Sequence, residues 1–354
     1  MNILDRYIIK TVLLSTFLFL IIILSLYGFI VLADAFKYVG KGTFDMSDAF
    51  FYTALTLPRR MYELFPFSVL LGAMMGLGTL NSSSELVAIR AAGVSIAMVI
   101  FSVMKAAFIL AFFMFSVGEY VVPISEKIAQ NHWSVQTHGA TSIVTEDAVW
   151  VRDKDTFIRI HSITSNNTLG NVSIFNFNED KTLKVNTRAE SAHFNNGEWI
   201  LKDIKQTFFT SNQVVVNDIE QARWPTLLDL DLVDAIVTKL EYLSAFGLYR
   251  YATYLDDNSL DSNQYWLVFW NKIVSPFSIA AMLLLAVPFV FDSSRTSNAG
   301  NRLMMGVFIG VTFTIANKIS AQFGLVYNIS PFLSASLITM TSIVIASVLI
   351  RRMT

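Results

Sequence analysis

Residues 80–96 read LNSSSELVAIRAAGVSI and lie between two long apolar segments. Ser82 followed three residues later by Glu85 is a capping-box pattern, and Gly93 supplies a C-terminal stop, so the spacing predicts a short helix over 82–93. At ~1.5 Å per residue its roughly ten residues would extend ~15 Å, about half a bilayer. Such a helix between two membrane spans is either a simple surface connector or a handle for a soluble partner. Glu85 and Arg90 offer charges, and Leu86 with Ile89 at i, i+3 offers a small apolar face for docking.

Working outward, the composition makes those flanks membrane spans. The chain of 354 residues is 54% hydrophobic and 15% charged, against ~25% charged in soluble domains. A formal net charge of −1 carries no basic excess that would argue for nucleic acid. Cysteine is absent, which excludes disulfides, thiolate metal sites and a Cys nucleophile. Arg6 and Lys10 precede a long apolar run without a small-residue cleavage pattern, so the first span is read as uncleaved.

Residues 11–33 contain no charge, enough to cross ~30 Å of hydrocarbon as a helix. A polar loop over 34–47 follows. Span two ends at Leu80 and begins near Ala49, with Pro58 suited to a first turn or a kink. Span three covers 94–122, and its polar continuation to about Gly139 is compatible with helix. Between 142 and 224 the pattern changes to short β-rich runs, including 148–152, 156–163, 172–177 and 198–209. Turn signals separate them at 153–155, Asn166-Asn167, Glu179-Asp180 and Asn196-Gly197, a spacing that predicts a small sandwich or jelly roll. Residues 227–263 are acidic and serve as the return path. Span four covers 265–291 with Lys272 near its outer end, a polar loop covers 292–302, and 303–350 divides at 324–331 into spans five and six.

The expected fold is therefore an α-helical polytopic membrane protein with six transmembrane helices and an inserted all-β domain. Its parts are 1–139 (spans one to three with the short helix 82–93), 140–262 (the β-domain and return linker) and 263–354 (spans four to six). Arg6, Lys10, Arg90, Arg295, Arg302, Arg351 and Arg352 fall on one side, which the positive-inside rule makes cytoplasmic.

Lys37, Lys41, Arg59 and Arg60 break that rule on the opposite side. At an outer-leaflet boundary they suit the phosphates of a lipid headgroup, or simply snorkel to bulk headgroups. Lys105 and Lys318 lie inside apolar segments, where an unpaired charge costs a few kcal/mol, so each is expected to face protein or a wet cavity. Asn317 beside Lys318 adds a polar step in span five. The pairs Gly72/Gly76 and Gly306/Gly310 permit close helix contact within the chain or against a partner.

No P-loop and no H-E-x-x-H occurs, so ATP hydrolysis by this chain is not expected. His132, His138, His161 and His193 have no ligand spacing. Asp229, Asp231 and Asp234 lack the remaining ligands of a calcium loop and are read as a solvated acidic face.

The ordered set of three spans, an extracytoplasmic β-domain, three further spans and a capped S-E-L helix resembles the LptF/LptG family of lipopolysaccharide export permeases. LDRYIIKT (4–11), FPFSVLLGAMMGLG (65–78) and WNKIVSPFSIAAMLLLAVPFVF (270–291) carry the resemblance, which covers nearly the whole chain and leans to the second-named branch. It implies a permease half of an ATP-binding cassette transporter that extracts lipopolysaccharide from the outer leaflet of the inner membrane. The implied partners are an LptF-like half, an LptB-like ATPase dimer holding ATP and Mg, an LptC-like single-span protein and a periplasmic LptA-like bridge. No cofactor is implied for the chain itself. The resemblance also makes helix 82–93 the coupling helix, with Glu85, Leu86, Ile89 and Arg90 facing the ATPase. It makes the inserted domain a periplasmic β-jelly roll, and spans one and five the lateral gates, the latter carrying Gly306, Gly310, Asn317 and Lys318. Lys37 maps best to the lipid-phosphate contact, with Lys41, Arg59 and Arg60 able to contribute. The chain departs from one family member at Val31 and near Gln130 and Trp133, where that member is basic. The first-named permease half, and a membrane sensor with an extracytoplasmic β-domain, remain as alternatives.

Overall fold

The computed structural model describes residues 3–138, 142–164, 168–178, 180–195, 197–210, 213–226, 229–291 and 299–352. It divides into two compact units: Met1–Lys37, Ala49–Ala129 and Asn263–Thr354 form one, and Tyr38–Asp48 with Gln130–Ser262 form the other.

The first unit is helical. In chain order its elements are α1 (Ile3–Phe36), α2 (Met46–Ser82), the short α3 (Glu85–Ala91) and α4 (Ile96–Ser116). A π-helical turn (Val117–Val121) then leads into α5 (Val122–His138), which fulfils the expected helical continuation of span three. After the β-unit come α8 (Asn263–Phe291), α9 (Ala299–Val326) and α10 (Pro331–Arg351). Among the described residues six helices are long and apolar enough to cross a membrane. In hydrocarbon every backbone polar group must be satisfied within the segment, and a continuous helix does this.

Two boundaries differ from expectation for local chemical reasons. Helix α2 begins at Met46 because Asp45 and Asp48 cap each other's backbone: Asp48 N–H donates to Asp45 Oδ1 at 3.0 Å and Asp45 N–H donates to Asp48 Oδ2 at 2.8 Å. The bonds that the Asp45 carboxyl accepts, from Ser47 Oγ most strongly and from Asp48 N–H, hold it below its ordinary range. Pro58 and Pro66 both lie within α2 without ending it. Arg302, expected in a loop, lies in α9; Arg295 falls outside the described residues. Between α9 and α10, Asn328 takes φ 50° and Pro331 opens the next helix, as the turn signal predicts.

The core of this unit joins Phe65, Leu70 and Met74 of α2 to Val103 and Leu110 of α4 and Met282 and Leu283 of α8. Helices α2 and α8 are the inner ones, with 67% and 61% of their most apolar windows buried, against 11% for α1 and 11% for α9. Glycines set the closest approaches. A Cβ on Gly72 would lie 2.4 Å from the Thr16 Cα, and one on Gly76 2.6 Å from Ser15 Oγ, so α1 crosses α2 backbone against backbone at Gly72 and side chain against backbone at Gly76. Gly306 faces Leu71 and Met74, and Gly310 faces Phe67, so both G-x-x-x-G pairs serve packing within the chain.

The second unit holds a six-stranded antiparallel sheet in sequential order: β1 (Ser142–Asp153), β2 (Thr156–Thr164), β3 (Thr168–Phe177), β4 (Leu183–Asn195), β5 (Glu198–Thr210) and β6 (Gln213–Trp224). The all-β insertion is thus present as one sheet of consecutive hairpins. Lys154 (φ 54°), Lys181 (φ 63°) and Gly197 (φ 88°) supply left-handed turn residues. Asn166, Asn167, Glu179 and Asn196 lie outside the described residues.

The sheet is creased. Asn171 on β3 and Asp203 on β5 take φ 49° and φ 52°. The flanking registers Ile160↔Val172↔Ala189↔Ile204 and Ser162↔Gly170↔Ser191↔Lys202 place them in one transverse row. Across that row the buried positions are Ile160, Val172, Ala189 and Ile204 on one side, and Ile163, Leu169, Ala192 and Leu201 on the other. Each strand's two buried residues are three apart, which in a regular strand would point them to opposite faces. On β3 and β5 a left-handed residue between the two buried positions changes that alternation. Leu201 and Ile204 accordingly line one cavity of about 280 Å³ together with residues from all six strands.

The return segment is more structured than its acidic composition suggests, with α6 (Leu230–Val237) and α7 (Ala245–Asp257). Asp229 accepts from Leu232 N–H at 2.8 Å and pairs with Arg250, so it is a helix cap; the side chains of Asp231 and Asp234 lie outside the described set. Helix α7 is tied to the border of β1. Tyr254 Oη donates to the Arg152 carbonyl and accepts its N–H, and the Asn258 side-chain oxygen accepts from Lys154 N–H at 2.8 Å. Burial raises the Tyr254 phenol above its ordinary value.

The Gly72 crossing generates a test. Gly72→Val is expected to cost ~1–3 kcal/mol through overpacking against the α1 backbone, with a matching drop in thermal unfolding temperature in detergent. The exposed Gly300→Val should leave that temperature within the effect of helix propensity alone, because nothing lies near its Cβ position.

Candidate functional site

Helix α3 is shorter than its sequence predicts and is built differently. Helix α2 consumes Ser82, the chain turns at Ser83-Ser84, and Ser84 takes φ 62° at the start of α3 without a side-chain cap. The capping box from Ser82 is therefore not formed, because that serine donates back to the Thr79 carbonyl at 3.0 Å. Glu85 is held from within the chain instead: Ser83 Oγ donates to Oε1 at 2.9 Å and Tyr7 Oη donates to Oε2 at 2.6 Å. The C-terminal stop forms as expected. Gly93 takes φ 88°, its N–H reaches the Arg90 carbonyl, and Val94 N–H reaches the Ile89 carbonyl, a Schellman arrangement.

The apolar face of α3 points inward, which corrects the expected docking face. Leu86 is 1% exposed in the helical core and Ile89 packs against that core. Burial of these two anchors the helix, since an isolated helix of this length is unstable. Outward lie Val87, 48% exposed, and Arg90, with Glu85 partly exposed beside them.

The four basic residues expected at the opposite boundary take separate positions. Lys37 is exposed and pairs with Asp34 at 2.6 Å. Arg59 and Arg60 share Glu63, each at 2.8 Å, and Arg60 also lies over the Tyr27 ring at 4.9 Å. The shared carboxylate offsets one of their two charges. Lys41 belongs to the other unit and lies over the Tyr38 ring at 4.4 Å. There Phe44 and Tyr38 both pack edge-on against Trp133, and His132 pairs with Asp48 at 2.8 Å.

Comparison with known proteins joins this architecture to a family. The family described as "Lipopolysaccharide export system permease LptF/LptG" matches residues 6–352. The chain belongs to that family. Its curated relatives include the lipopolysaccharide export system permease protein LptG of Escherichia coli K12, 33% identical over 95% of this chain and 94% of the relative. The corresponding LptG of Haemophilus influenzae is 32% identical over 94% of each. The protein is thus a permease subunit of the lipopolysaccharide export system and a multi-pass inner-membrane protein.

In this permease the gate candidates divide. Gly306 and Gly310 are buried against α2, whereas Lys318 is exposed on α9 instead of facing protein or a cavity within the chain. A helix with 11% of its apolar window buried has few inward positions to offer a lysine. Asn317 Oδ1 is buried without a hydrogen-bond partner among the described residues.

Two polar clusters escaped sequence reasoning. Asp5, in the first turn of α1, accepts from Ser102 Oγ and from Lys105 Nζ, the latter at 2.7 Å, and Lys105 also lies over Phe101 at 4.7 Å. The intramembrane lysine is therefore paired, and only the wide sequence separation hid its partner. Lys272 is 8% exposed and donates to the Gly118 carbonyl at 3.2 Å. That carbonyl lies in the π-helical turn, and Gly118 there leaves room for the Tyr62 ring, 2.4 Å from where its Cβ would be. Such turns cannot be read from hydropathy, because they shift the phase of the helix without changing its composition.

Asp5→Asn removes the charge opposite Lys105 and is expected to destabilise the purified permease by ~1–3 kcal/mol, read as a fall in thermal unfolding temperature. Adding Lys105→Met, which removes the stranded charge, is expected to recover part of the loss.

Proposed function

We propose that the permease is the LptG-type half of an ATP-binding cassette transporter. It would pair with an LptF-like half and an LptB-like ATPase dimer, which holds ATP and Mg, and move lipopolysaccharide from the outer leaflet toward an LptC-like protein and a periplasmic LptA-like bridge. The curated LptG relatives support the assignment to this half over the first-named one. Both termini and α3 are assigned to the cytoplasm, and the β-unit to the periplasm, by the basic residues at Arg6, Lys10, Arg90 and Arg351.

The observation that carries this reading is α3: a short helix pinned by Leu86 and Ile89, presenting Glu85, Val87 and Arg90 outward at a turn between two spans. A permease without a P-loop receives the work of ATP hydrolysis through a contact, and α3 is a built projection on the assigned cytoplasmic side. The contact is principally polar, with Glu85 meeting a basic groove. The scarcely buried α1 and α9 support a second assignment, as gates whose open faces meet lipid, lipopolysaccharide or the other half. Lys37, exposed just beyond α1, is the leading contact for a lipid phosphate, with Lys41 second. Lys37 is itself paired with Asp34, but its side chain is 72% exposed, against 14% for Arg59 and 27% for Arg60, so the two arginines contribute less.

Two outcomes are expected. Glu85→Lys should abolish copurification of the ATPase, since charge reversal at a buried contact costs several kcal/mol, while the permease itself still extracts and unfolds normally. A photocrosslinker at Lys37 should capture lipopolysaccharide in intact cells. Retention of the ATPase by Glu85→Lys would overturn the docking assignment, and absence of a lipid adduct would overturn the role of Lys37.

A further inference from the structure

The carboxylate assigned to the ATPase contact is already bound to the first membrane span. Tyr7, on the second turn of α1, donates to Glu85 Oε2 at 2.6 Å, a length typical of a charge-assisted O–H···O bond. Its ring is 43% exposed, so the hydroxyl and not deep packing defines the contact. The other oxygen, Oε1, is occupied by Ser83 from the turn that leads into α3. A carboxylate offers about four acceptor sites, so a cationic side chain of a partner can join Glu85 without displacing Tyr7.

The rest of the surroundings make this bond mechanically significant. Helix α3 is bounded by left-handed residues, Ser84 at φ 62° and Gly93 at φ 88°, so it connects to α2 and α4 through turns and not through continuous helix. It is a short helix set between two turns and seated on the core by Leu86 and Ile89. Helix α1 is little buried along its span, but its cytoplasmic-side turns are fixed: Ile8 and Val12 are fully buried, and Asp5 is held by Ser102 and Lys105 of α4. The side chain of Tyr7 bridges from those fixed turns to the first residue of α3.

We infer that Tyr7 is a positioning residue that couples α3 to α1: through the Tyr7–Glu85 bond, a displacement of the docked α3 moves the first span. The inference rests on the docking role of α3 proposed above and adds the route by which that contact reaches a gate helix. Tyr7 itself touches neither nucleotide nor lipid in this assignment.

The test uses the whole transporter in proteoliposomes, measuring lipopolysaccharide released per ATP hydrolysed together with the amount of ATPase copurified. Tyr7→Phe removes one oxygen. It is expected to leave copurification intact and to lower release per ATP about threefold or more, the scale of one lost hydrogen bond. Ser83→Ala frees the other carboxylate oxygen without touching α1 and should leave the ratio unchanged. An unchanged ratio in Tyr7→Phe overturns the inference while the docking role stands. Failure of the parent chain to copurify with an ATPase overturns both, and is distinguishable because it precedes any substitution.

Should the Tyr7→Phe complex fail to assemble, the parent complex decides. The chain contains no cysteine, so spin labels at Leu14→Cys on α1 and Ala91→Cys on α3 report one distance. A distance unchanged between nucleotide-free and ATP-trapped states, with α3 shown to move against α8, supports the link. A change in the α1–α3 distance overturns it.

Discussion

The helical unit depends on how closely helix backbones approach. Lipid tails are as apolar as leucine, so burying side chains between helices gains little over leaving them in the membrane, and packing must come from intimate van der Waals contact. Gly72 and Gly76 admit α1 to α2, Gly306 and Gly310 admit α9 to α2, and Gly324 admits Ser334 of α10. Helix α2 receives two of these three approaches, consistent with its being the most buried of the six. The periphery can then remain open. α1 packs on α2 and α4, and α9 on α2 and α10, yet only 11% of the most apolar window of each is buried, which leaves most of their surface to meet lipid or another subunit.

Polar contacts at the ends of the spans supply what glycine seams do not, namely a defined axial position. A smooth apolar helix can slide along its neighbour at little cost. The Asp5–Lys105 pair, the Tyr7–Glu85 bond, the Asn81 side-chain bond to the Val290 carbonyl and the Lys272–Gly118 contact each fix a height at which two helices meet. An intramembrane charge that looked costly in isolation, Lys105, is thereby a locating pin.

Much of this was legible in the sequence, for identifiable reasons. The spans follow from length and charge depletion, the last turn from Gly324, Asn328 and Pro331, and the extent of the β-region from the change in period at 142 and 224. The signals that failed were local competitions and distant pairings. At α3 the pattern S-x-x-E correctly marked a helix, but Ser82 bonded backward to Thr79 and Glu85 found a tyrosine 78 residues away. The apolar pair Leu86 and Ile89 gave the right face and the wrong neighbour, because periodicity does not say whether an apolar stripe meets its own chain or another. For Lys37, Lys41, Arg59 and Arg60 the sequence shows charge, and the fold pairs Lys37 with Asp34 and both arginines with Glu63.

The crease of the β-sheet bears on how this domain reaches its structure. Side-chain alternation alone leaves a sheet of consecutive hairpins open to slippage by a residue. Here the left-handed positions of β3 and β5 must fall in the same row, and they are filled by Asn171 and Asp203, residue types that tolerate that backbone. A shift of one residue in one direction would bring Val172 or Ile204 into the left-handed site at ~1–2 kcal/mol each, on top of exposing the apolar rows. The opposite shift would bring in Gly170, which tolerates that backbone, or Lys202. The left-handed row thus adds, in one direction of slippage, to the preference for the observed pairing.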